Sequence, residues 1–377
     1  MKNKFKFLKR MFVIITALIG GFLLLLACVL VIYSPGKPEQ FSDMNGKQIA
    51  GSISEKVFIS VGGVKQGMFI RSKDINRPVL LYLHGGPAFP NYFLVDKFKP
   101  GLEDFFTVCY WEQRGGGLSY SPEVSTESMS FGQLASDAIE VTNYLRKRFD
   151  KQKIYLIAHS GGTPIALMAI SRHPELYEAY IAMAQITQQK ESEIIAFNYM
   201  SDQYANTGIR KKARALKEFS ILESDSILLS YYKSGIRDQF MHELGIGTMH
   251  KMKSIFWDIF LPVWTCKAYT LREKVNIWKS KFSFLPKTNL NKEVLTTDFA
   301  GMAPKLDVPV YFFSGKFDMT VNIDLSKAYY DQLQAPLKGF YTFNNSAHSP
   351  LFEEPVLARQ IIEHDVLKGN IHLADKE

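Results

Sequence analysis

The sequence predicts an α/β architecture: a mostly parallel sheet flanked by helices, carrying one helical insertion and preceded by one long apolar helix. Three observations point to it. Apolar runs of strand length alternate with amphipathic helical segments; the alternation stops between about residues 187 and 300; and residues 12–33 are apolar or small throughout.

The N-terminal stretch comes first. A helix over residues 12–33 would be about 33 Å long, the hydrocarbon thickness of a bilayer. It lacks the polar face that the core helix of a soluble domain would show. A cleaved signal peptide is the rival reading, but its apolar stretch is normally about 7–15 residues and ends in a small-x-small site. Here the run is longer and ends at Ile32-Tyr33-Ser34-Pro35. Leu25-Leu26-Ala27-Cys28 faintly resembles a lipoprotein cleavage site, yet five more apolar residues follow Cys28. An uncleaved anchor fits better. Lys2, Lys4, Lys6, Lys9 and Arg10 precede it, which predicts a cytoplasmic N-terminus and an extracytoplasmic remainder. These five charges also account for most of the net +8, leaving +3 for everything after residue 33 and no basic stripe suited to nucleic acid.

The expected divisions are residues 1–33 as basic tip and anchor, 34–186 as the first part of an α/β core, 187–300 as a helical cap, and 301–377 as the second part. Ser34–Asn45, with two prolines and a glycine, reads as a linker. Two strand-like runs around Gly62-Gly63 predict a β-hairpin. The further strands expected are Val79–Leu83, Phe106–Trp111, Ile154–Ala158, Ala179–Ala184, Val310–Phe313 and Gly339–Phe343. All are continuous apolar runs, as strands covered on both faces should be. Ser130 could cap a helix whose Phe131, Leu134, Ala138, Val141, Leu145 and Phe149 follow helical spacing. The segment 187–300 is helix-like, charged and aromatic, and should lie over the C-terminal edge of the sheet, where ligands bind in such folds. Its Trp257, Trp264 and Trp278 either line an apolar pocket or pack the cap helices. Hydrophobic residues at 46% and charged residues at 22% exclude wholesale disorder. Cys28, Cys109 and Cys266 are too few and scattered for a disulfide framework, and Cys109 reads as a buried free thiol.

The chemistry centres on Ile154-Tyr-Leu-Ile-Ala-His-Ser160-Gly161-Gly162-Thr-Pro-Ile-Ala-Leu. A strand ends at a serine flanked by glycine and a helix starts at once, the setting of a nucleophile elbow. The usual first glycine is Ala158 here. An oxyanion hole needs backbone N–H groups, and the strand Val79–Leu83 runs into His84-Gly85-Gly86-Pro87; Gly86 and Gly161 are the candidate donors. The acid and base must follow the serine in that order. Asp318 lies just past the strand beginning at Val310, and His348 follows Gly339–Phe343. His159, next to the serine, should point away from it. No metal site is expected: His242-Glu243 would open a zinc motif only if residue 246 were His, and it is Ile. No cofactor is expected either.

His84-Gly-Gly-Pro87, Trp111-Glu-Gln-Arg-Gly-Gly-Gly-Leu-Ser119, Ala158-His-Ser-Gly-Gly162 and His348-Ser-Pro with Glu353-Glu354-Pro355 together resemble the α/β-hydrolase superfamily, and within it the proline iminopeptidase-like branch. The resemblance spans roughly residues 50–370, loosely across the cap. It implies an α/β-hydrolase fold and a Trp111-containing element that shapes the site beside the oxyanion loop, with Trp111 itself a candidate for substrate binding. It also implies serine hydrolysis of a short peptide, amide or ester. Glu112 stands where the branch has Asp, and Ala88 where it has glycine, so proline specificity does not carry over. An aminopeptidase acting on small peptides is the leading reading, with a carboxylesterase or amidase and a non-catalytic binding module as alternatives. An aminopeptidase must pair the substrate's ammonium with a carboxylate. Glu191 and Glu193, where the chain enters the cap, are the candidates; being about 200° apart on a helix, at most one can face the site.

Overall fold

The computed structural model describes residues 2–252 and 254–376, with side chains from Lys4 onward. Among these, eight strands form one sheet: β1 (Ile53–Val61), β2 (Val64–Ser72), β3 (Val79–Leu83), β4 (Thr107–Trp111), β5 (Ile154–His159), β6 (Tyr177–Met183), β7 (Val310–Gly315) and β8 (Lys338–Phe343). Their spatial order is β1-β2-β4-β3-β5-β6-β7-β8. β1, β2 and β4 pair antiparallel, and every pair from β4 onward is parallel. The Gly62-Gly63 turn closes the expected hairpin, with both glycines at positive φ. The chain leaves β3 toward β4 on one side and β5 on the other. Strand order therefore reverses at β3, and the C-terminal ends of β3 and β5 border the crevice this creates.

The apolar runs are continuous because both faces are covered. Leu81, Leu83, Leu156 and Ala158 pack on one side, against α3 (Phe131–Arg148) and α4 (Thr163–Arg172). Leu80, Tyr82 and Ile157 pack on the other, where α2 (Tyr92–Phe98) and the last long helix contribute Phe93, Ile361 and Ile362. Each such side chain, fully buried, contributes about 1.5–3 kcal/mol. Ser130 caps α3 by accepting the Gln133 N–H at 3.1 Å, and the helix buries Leu134, Ala138, Val141 and Leu145 as its spacing predicts.

Between β6 and β7 the chain is helical: α5 (Gln189–Asn206), α6 (Arg210–Lys217), α7 (Asp225–Tyr232), α8 (Gly235–Glu243), α9 (Leu261–Thr265), α10 (Leu271–Lys279), α11 (Leu290–Thr296) and α12 (Phe299–Met302). Its two ends meet. Gln188 and Asp298 form an antiparallel bridge, and the Phe299 N–H donates to Thr187 O at 3.0 Å. The fold closes with α13 (Ile323–Gln332), α14 (Pro350–Glu353) and α15 (Pro355–His364).

The apolar N-terminal helix, α1 (Lys2–Ile32), is long and apolar enough to cross a membrane, and its apolar side chains are exposed along nearly its whole length. The residues after it are not the free linker expected from their prolines. Pro35 bridges Thr270, the Gly36 and Lys37 N–H groups both donate to Lys267 O, and Gln40 and Glu39 bond Ser54. Gly36 is obligatory there, since a Cβ would stand 2.4 Å from the Thr270 methyl. The stretch is a strap held along the domain. All three cysteines are free, with Cys109 and Cys266 buried.

Candidate active site

β5 delivers Ser160 at its C-terminal end, and the backbone turns sharply there. Ser160 has φ +52°, a left-handed conformation that costs a side-chain-bearing residue roughly 1–2 kcal/mol. A single 3₁₀ turn, Ser160–Gly162, leads into α4, with Pro164 in its first turn where no N–H is needed. The turn has no room for side chains on its far side. A Cβ on Gly161 would stand 2.7 Å from Pro87, and one on Gly162 would stand 2.6 Å from Leu83 O. Ala158, two residues before the serine, lies within the sheet between Leu83 and Ala182, and its methyl is fully buried there.

The loop after β3 lies against this turn. A Cβ on Gly85 would be 2.9 Å from Ser160 Cβ, so the glycine lets the two backbones touch. Gly86 follows at φ +59°, with its N–H within 3.2 Å of the place a Gly161 Cβ would occupy. The backbones of Gly86 and Gly161 are thus in close approach. Ala88 also adopts positive φ, a conformation that glycine would take with less strain; its N–H donates to Gln113 Oε1 at 2.9 Å. His84 and Gln113 complete the brace. The Gln113 N–H donates to His84 Nε2 at 3.1 Å, which leaves the proton on Nδ1 to bond Gly85 O at 3.0 Å. Burial lowers the His84 pKa to about 4, so this ring stays neutral.

Asp318 and His348 come together as expected. His348 Nδ1 is 2.8 Å from Asp318 Oδ2, and both side chains are buried. The other carboxylate oxygen of Asp318 accepts the Thr320 and Val321 N–H groups at 2.8 and 2.9 Å, fixing its orientation. Ser160 Oγ makes no hydrogen bond to His348 among the described residues. Such contacts are often long before substrate binds. The His348 loop is nevertheless held against the elbow. His159 points away from Ser160, as expected, but its Nε2 donates to His348 O at 2.7 Å and the two rings lie 4.9 Å apart. Burial lowers the His159 pKa to about 3, keeping this brace uncharged.

Glu353 and Glu354, which resemble nothing more than first-turn acids in sequence, also hold this loop. Glu353 accepts the Ala347 N–H at 2.9 Å and the His250 N–H at 2.6 Å, while Glu354 accepts from Asn345 N and Ser346 Oγ. The helical insertion reaches the same loops, with the His348 N–H on Gly247 O and the Met319 N–H on Ile246 O. The only sequence hint was that these acids recur with His348 in the motif.

The element Trp111–Ser119 acts as a frame. Trp111 is a core residue: it is buried and donates Nε1 to Gln66 Oε1 at 3.0 Å, so its assignment to substrate binding is corrected. Arg114 forms a buried ion pair with Asp137 of α3 at 2.8 Å. Glu112 accepts the Leu118 N–H at 2.6 Å and the Tyr269 hydroxyl, tying the loop to the insertion. Burial raises the Glu112 pKa to about 8.

A hollow of about 370 Å³ opens beside Gly86 and Pro87. Its other walls include Phe89, Tyr232, Arg237, Asp238, Lys281 and Phe282, the last five from the insertion. Neither glutamate picked from the sequence is free to serve there. Glu191 is exposed in a separate surface groove with Lys190 and Asp225. Glu193 is fully buried and spends both oxygens on Arg237, at 2.5 and 2.6 Å, with Gln189 adding a third bond. Their opposite orientations follow the helical angle between them. The carboxylate at the hollow is Asp238, bonded to Arg237 Nη1 at 2.7 Å. Sequence reasoning missed it because one acid in an exposed-looking helix carries no local signal. Among the described residues no cluster of His, Cys, Asp and Glu could hold a metal.

Fold and site define the class. A model of the alpha/beta hydrolase fold family matches residues 78–355, and the chain belongs to that family of hydrolases. The probable aminopeptidase YbaC of Bacillus subtilis (strain 168) is 32% identical over 305 residues, 79% of this chain and 92% of that protein. Among solved structures, the proline iminopeptidase of Mycobacterium smegmatis superposes with TM-score 0.59 at 13% identity, covering 83% of this chain and all of that one. An esterase from Thermogutta terrifontis superposes with TM-score 0.52 at 15% identity, covering 83% and 98%. Likeness at that level establishes the fold alone.

Proposed function

We propose that the protein is a membrane-anchored serine hydrolase, an aminopeptidase acting on N-terminal residues of small peptides through an acyl-enzyme. The observation that carries the reading is the Asp318–His348 pair at 2.8 Å, set beside a strained Ser160 that faces the Gly85-Gly86 loop. Ser160 Oγ attacks the scissile carbonyl while His348 Nε2 takes its proton; Asp318 holds the Nδ1–H and steadies the imidazolium. The Gly86 and Gly161 N–H groups bind the oxyanion, a service worth about 3–4 kcal/mol per donor. His348 then protonates the leaving amine, and water repeats the sequence to release the acid.

Aminopeptidase action is supported by the 32% identity to a probable aminopeptidase and by Asp238 at the hollow, a carboxylate available to a substrate ammonium. A second reading, a carboxylesterase or amidase, is favoured by the charge of that hollow: Lys233, Arg237 and Lys281 line it against Asp238. The helix α1 serves as the anchor, with the catalytic domain outside the cell; the apolar length and the preceding basic residues support this. The helices between β6 and β7 serve as a cap that shapes the substrate pocket.

The test is a fluorophosphonate probe on the full chain, followed by aminoacyl-arylamides and short aryl esters as substrates. Labelling of Ser160, abolished by Ser160→Ala, is expected, with faster turnover of the arylamides. If Ser160→Ala keeps more than about a tenth of the activity, a loss of only ~1.4 kcal/mol, the nucleophile assignment is wrong.

A further inference from the structure

The three tryptophans of the insertion differ: Trp264 and Trp278 are half-buried, and Trp257 is open to solvent. Trp257 is 62% exposed and sits among other exposed apolar side chains: Ile255, Phe256 (50%), Phe260 and Phe282 (67%). Their rings form a continuous track. Phe256 lies 5.0 Å from Trp257 and 5.4 Å from Phe260; Phe260 lies 5.4 Å from Trp278; and Trp278 lies 5.8 Å from Phe282 and 6.2 Å from Phe89. Phe89 and Phe282 are walls of the Gly86 hollow. The track therefore runs from open solvent to the hollow beside Gly86.

Helix α10 presents the same face along its length. Leu271, Val275 and Trp278, with Phe282 just beyond the helix, recur at helical spacing, while Ile277 turns to the buried side. An amphipathic helix in a globular protein turns that stripe inward, whereas this one turns a second stripe outward. Segments Phe256–Phe260 and Ser280–Phe284 are π-helical turns, which help aim the aromatic rings. Exposed apolar surface of this extent marks an interaction site.

Its position relative to α1 says what covers it. Lys274 Nζ donates to Tyr33 O at 2.5 Å and to Trp264 O at 2.6 Å, and Lys267 stands 5.8 Å over the Tyr33 ring. Only Tyr33 and Ser34 separate Ile32, the last residue of α1, from Pro35, which is bridged to Thr270. Even fully extended, that gap spans no more than about 11 Å. A bilayer that takes up α1 must therefore lie against residues 264–274 and the aromatic track beside them. Tryptophan favours the headgroup level, and phenylalanine the boundary between headgroups and acyl chains. Lys267, Arg272 and Lys279 surround the face, exposed and free of ion pairs among the described residues, while nearby Asp258 and Glu273 are paired with Lys97 and Lys56. That charge suits anionic headgroups.

We infer that the face formed by Phe256, Trp257, Phe260, Trp278 and Phe282 is seated in the surface layer of a phospholipid bilayer and opens the Gly86 hollow onto it. This rests on reading α1 as a membrane anchor. The substrate that such an entrance admits is an amphiphile whose apolar part stays in the lipid while its polar end reaches Ser160.

The experiment uses the full chain in vesicles of phosphatidylcholine and phosphatidylglycerol, with and without phosphatidylcholine brominated near the headgroup. α1 contains no tryptophan, and Trp111 is buried in the sheet, so quenching reports on the insertion. Brominated lipid should lower tryptophan emission by at least a third, and Trp257→Phe, folded by circular dichroism, should remove most of the quenched signal. A protein that floats with the vesicles after carbonate treatment, yet whose emission ignores bromine, overturns the inference and leaves the anchor standing. Burial of this face against a second copy or a protein partner would give that result. A protein that carbonate strips from the vesicles loses the anchor reading, and the inference with it.

Discussion

The carboxylate of Glu353 accepts the N–H of Ala347 at 2.9 Å, one residue before His348, and the N–H of His250 at 2.6 Å from the helical insertion. One side chain thus joins the insertion to the loop that carries the candidate base. Glu353→Ala leaves two partly buried donors, the Ala347 and His250 N–H groups, without their acceptor, at about 1–2 kcal/mol each. The expected result is a Tm lower by roughly 4–8 °C. The kcat should fall about tenfold or more while KM stays within twofold, because the base is displaced and the hollow is not. Unchanged kcat in a folded variant would remove Glu353 from the positioning of His348.

Gly315 ends β7 where the His348 loop crosses it, and a Cβ there would stand 1.8 Å from Ala347 O. The obstacle is backbone, so it cannot rotate away. Gly315→Ala should cost about 1–3 kcal/mol as overpacking and push Asp318 and His348 apart. A fall in kcat of about a hundredfold, together with weaker fluorophosphonate labelling, is expected. Wild-type labelling rates would show that the loop yields without cost.

Much of this site could be read along the chain. Ser160, Asp318, His348, Gly86 and Gly161 each sit where a strand ends, and a strand end is a local pattern of apolar residues followed by glycine. Asp238, Arg237 and the two glutamates at 353–354 could not be read so. Their roles depend on contacts across 44 residues of helix for Glu193 with Arg237, and 103 for His250 with Glu353. Helical periodicity says which side of a helix is wet, not which helix it meets. The hold on the linker at 34–45 is illegible for a related reason: its prolines and glycine signal irregular backbone, and irregular backbone can be held as firmly as a strand.

Asp238 is the test of substrate class. Asp238→Asn should raise KM for aminoacyl-arylamides at least tenfold, about 1.4 kcal/mol. KM for a neutral aryl ester should not move, because an ester offers no ammonium. Glu191→Gln should alter neither. Equal effects of Asp238→Asn on both substrates would favour the esterase or amidase reading.

Glu112 supplies a pH dependence. Its folded pKa of about 8 exceeds that of a free carboxyl, so between about pH 4.5 and 8 the folded protein binds more protons than the unfolded chain. The stability it contributes is complete below the ordinary carboxylate range and is lost as pH rises through 8. Tm should fall between pH 5 and 8.5 in the wild type, and Glu112→Gln should flatten at least half of that slope. Equal slopes in both proteins would mean that Glu112 is ionised in the fold.

The bridge between Gln188 and Asp298, with Phe299 bonded to Thr187, has a consequence for how such proteins diversify. Everything between those residues departs from the sheet and returns to it at a single point. Closing so long a loop adds little entropy beyond closing a short one, since the cost grows only with the logarithm of length. The segment is therefore a chain insertion rooted at one place, although Ile246, Gly247, His250 and Tyr269 within it also bond the loops around the site. A lineage, or an experimenter, that exchanges it for another helical segment changes the pocket, and must also replace the bonds that Ile246, Gly247 and His250 give to the loops of Asp318 and His348.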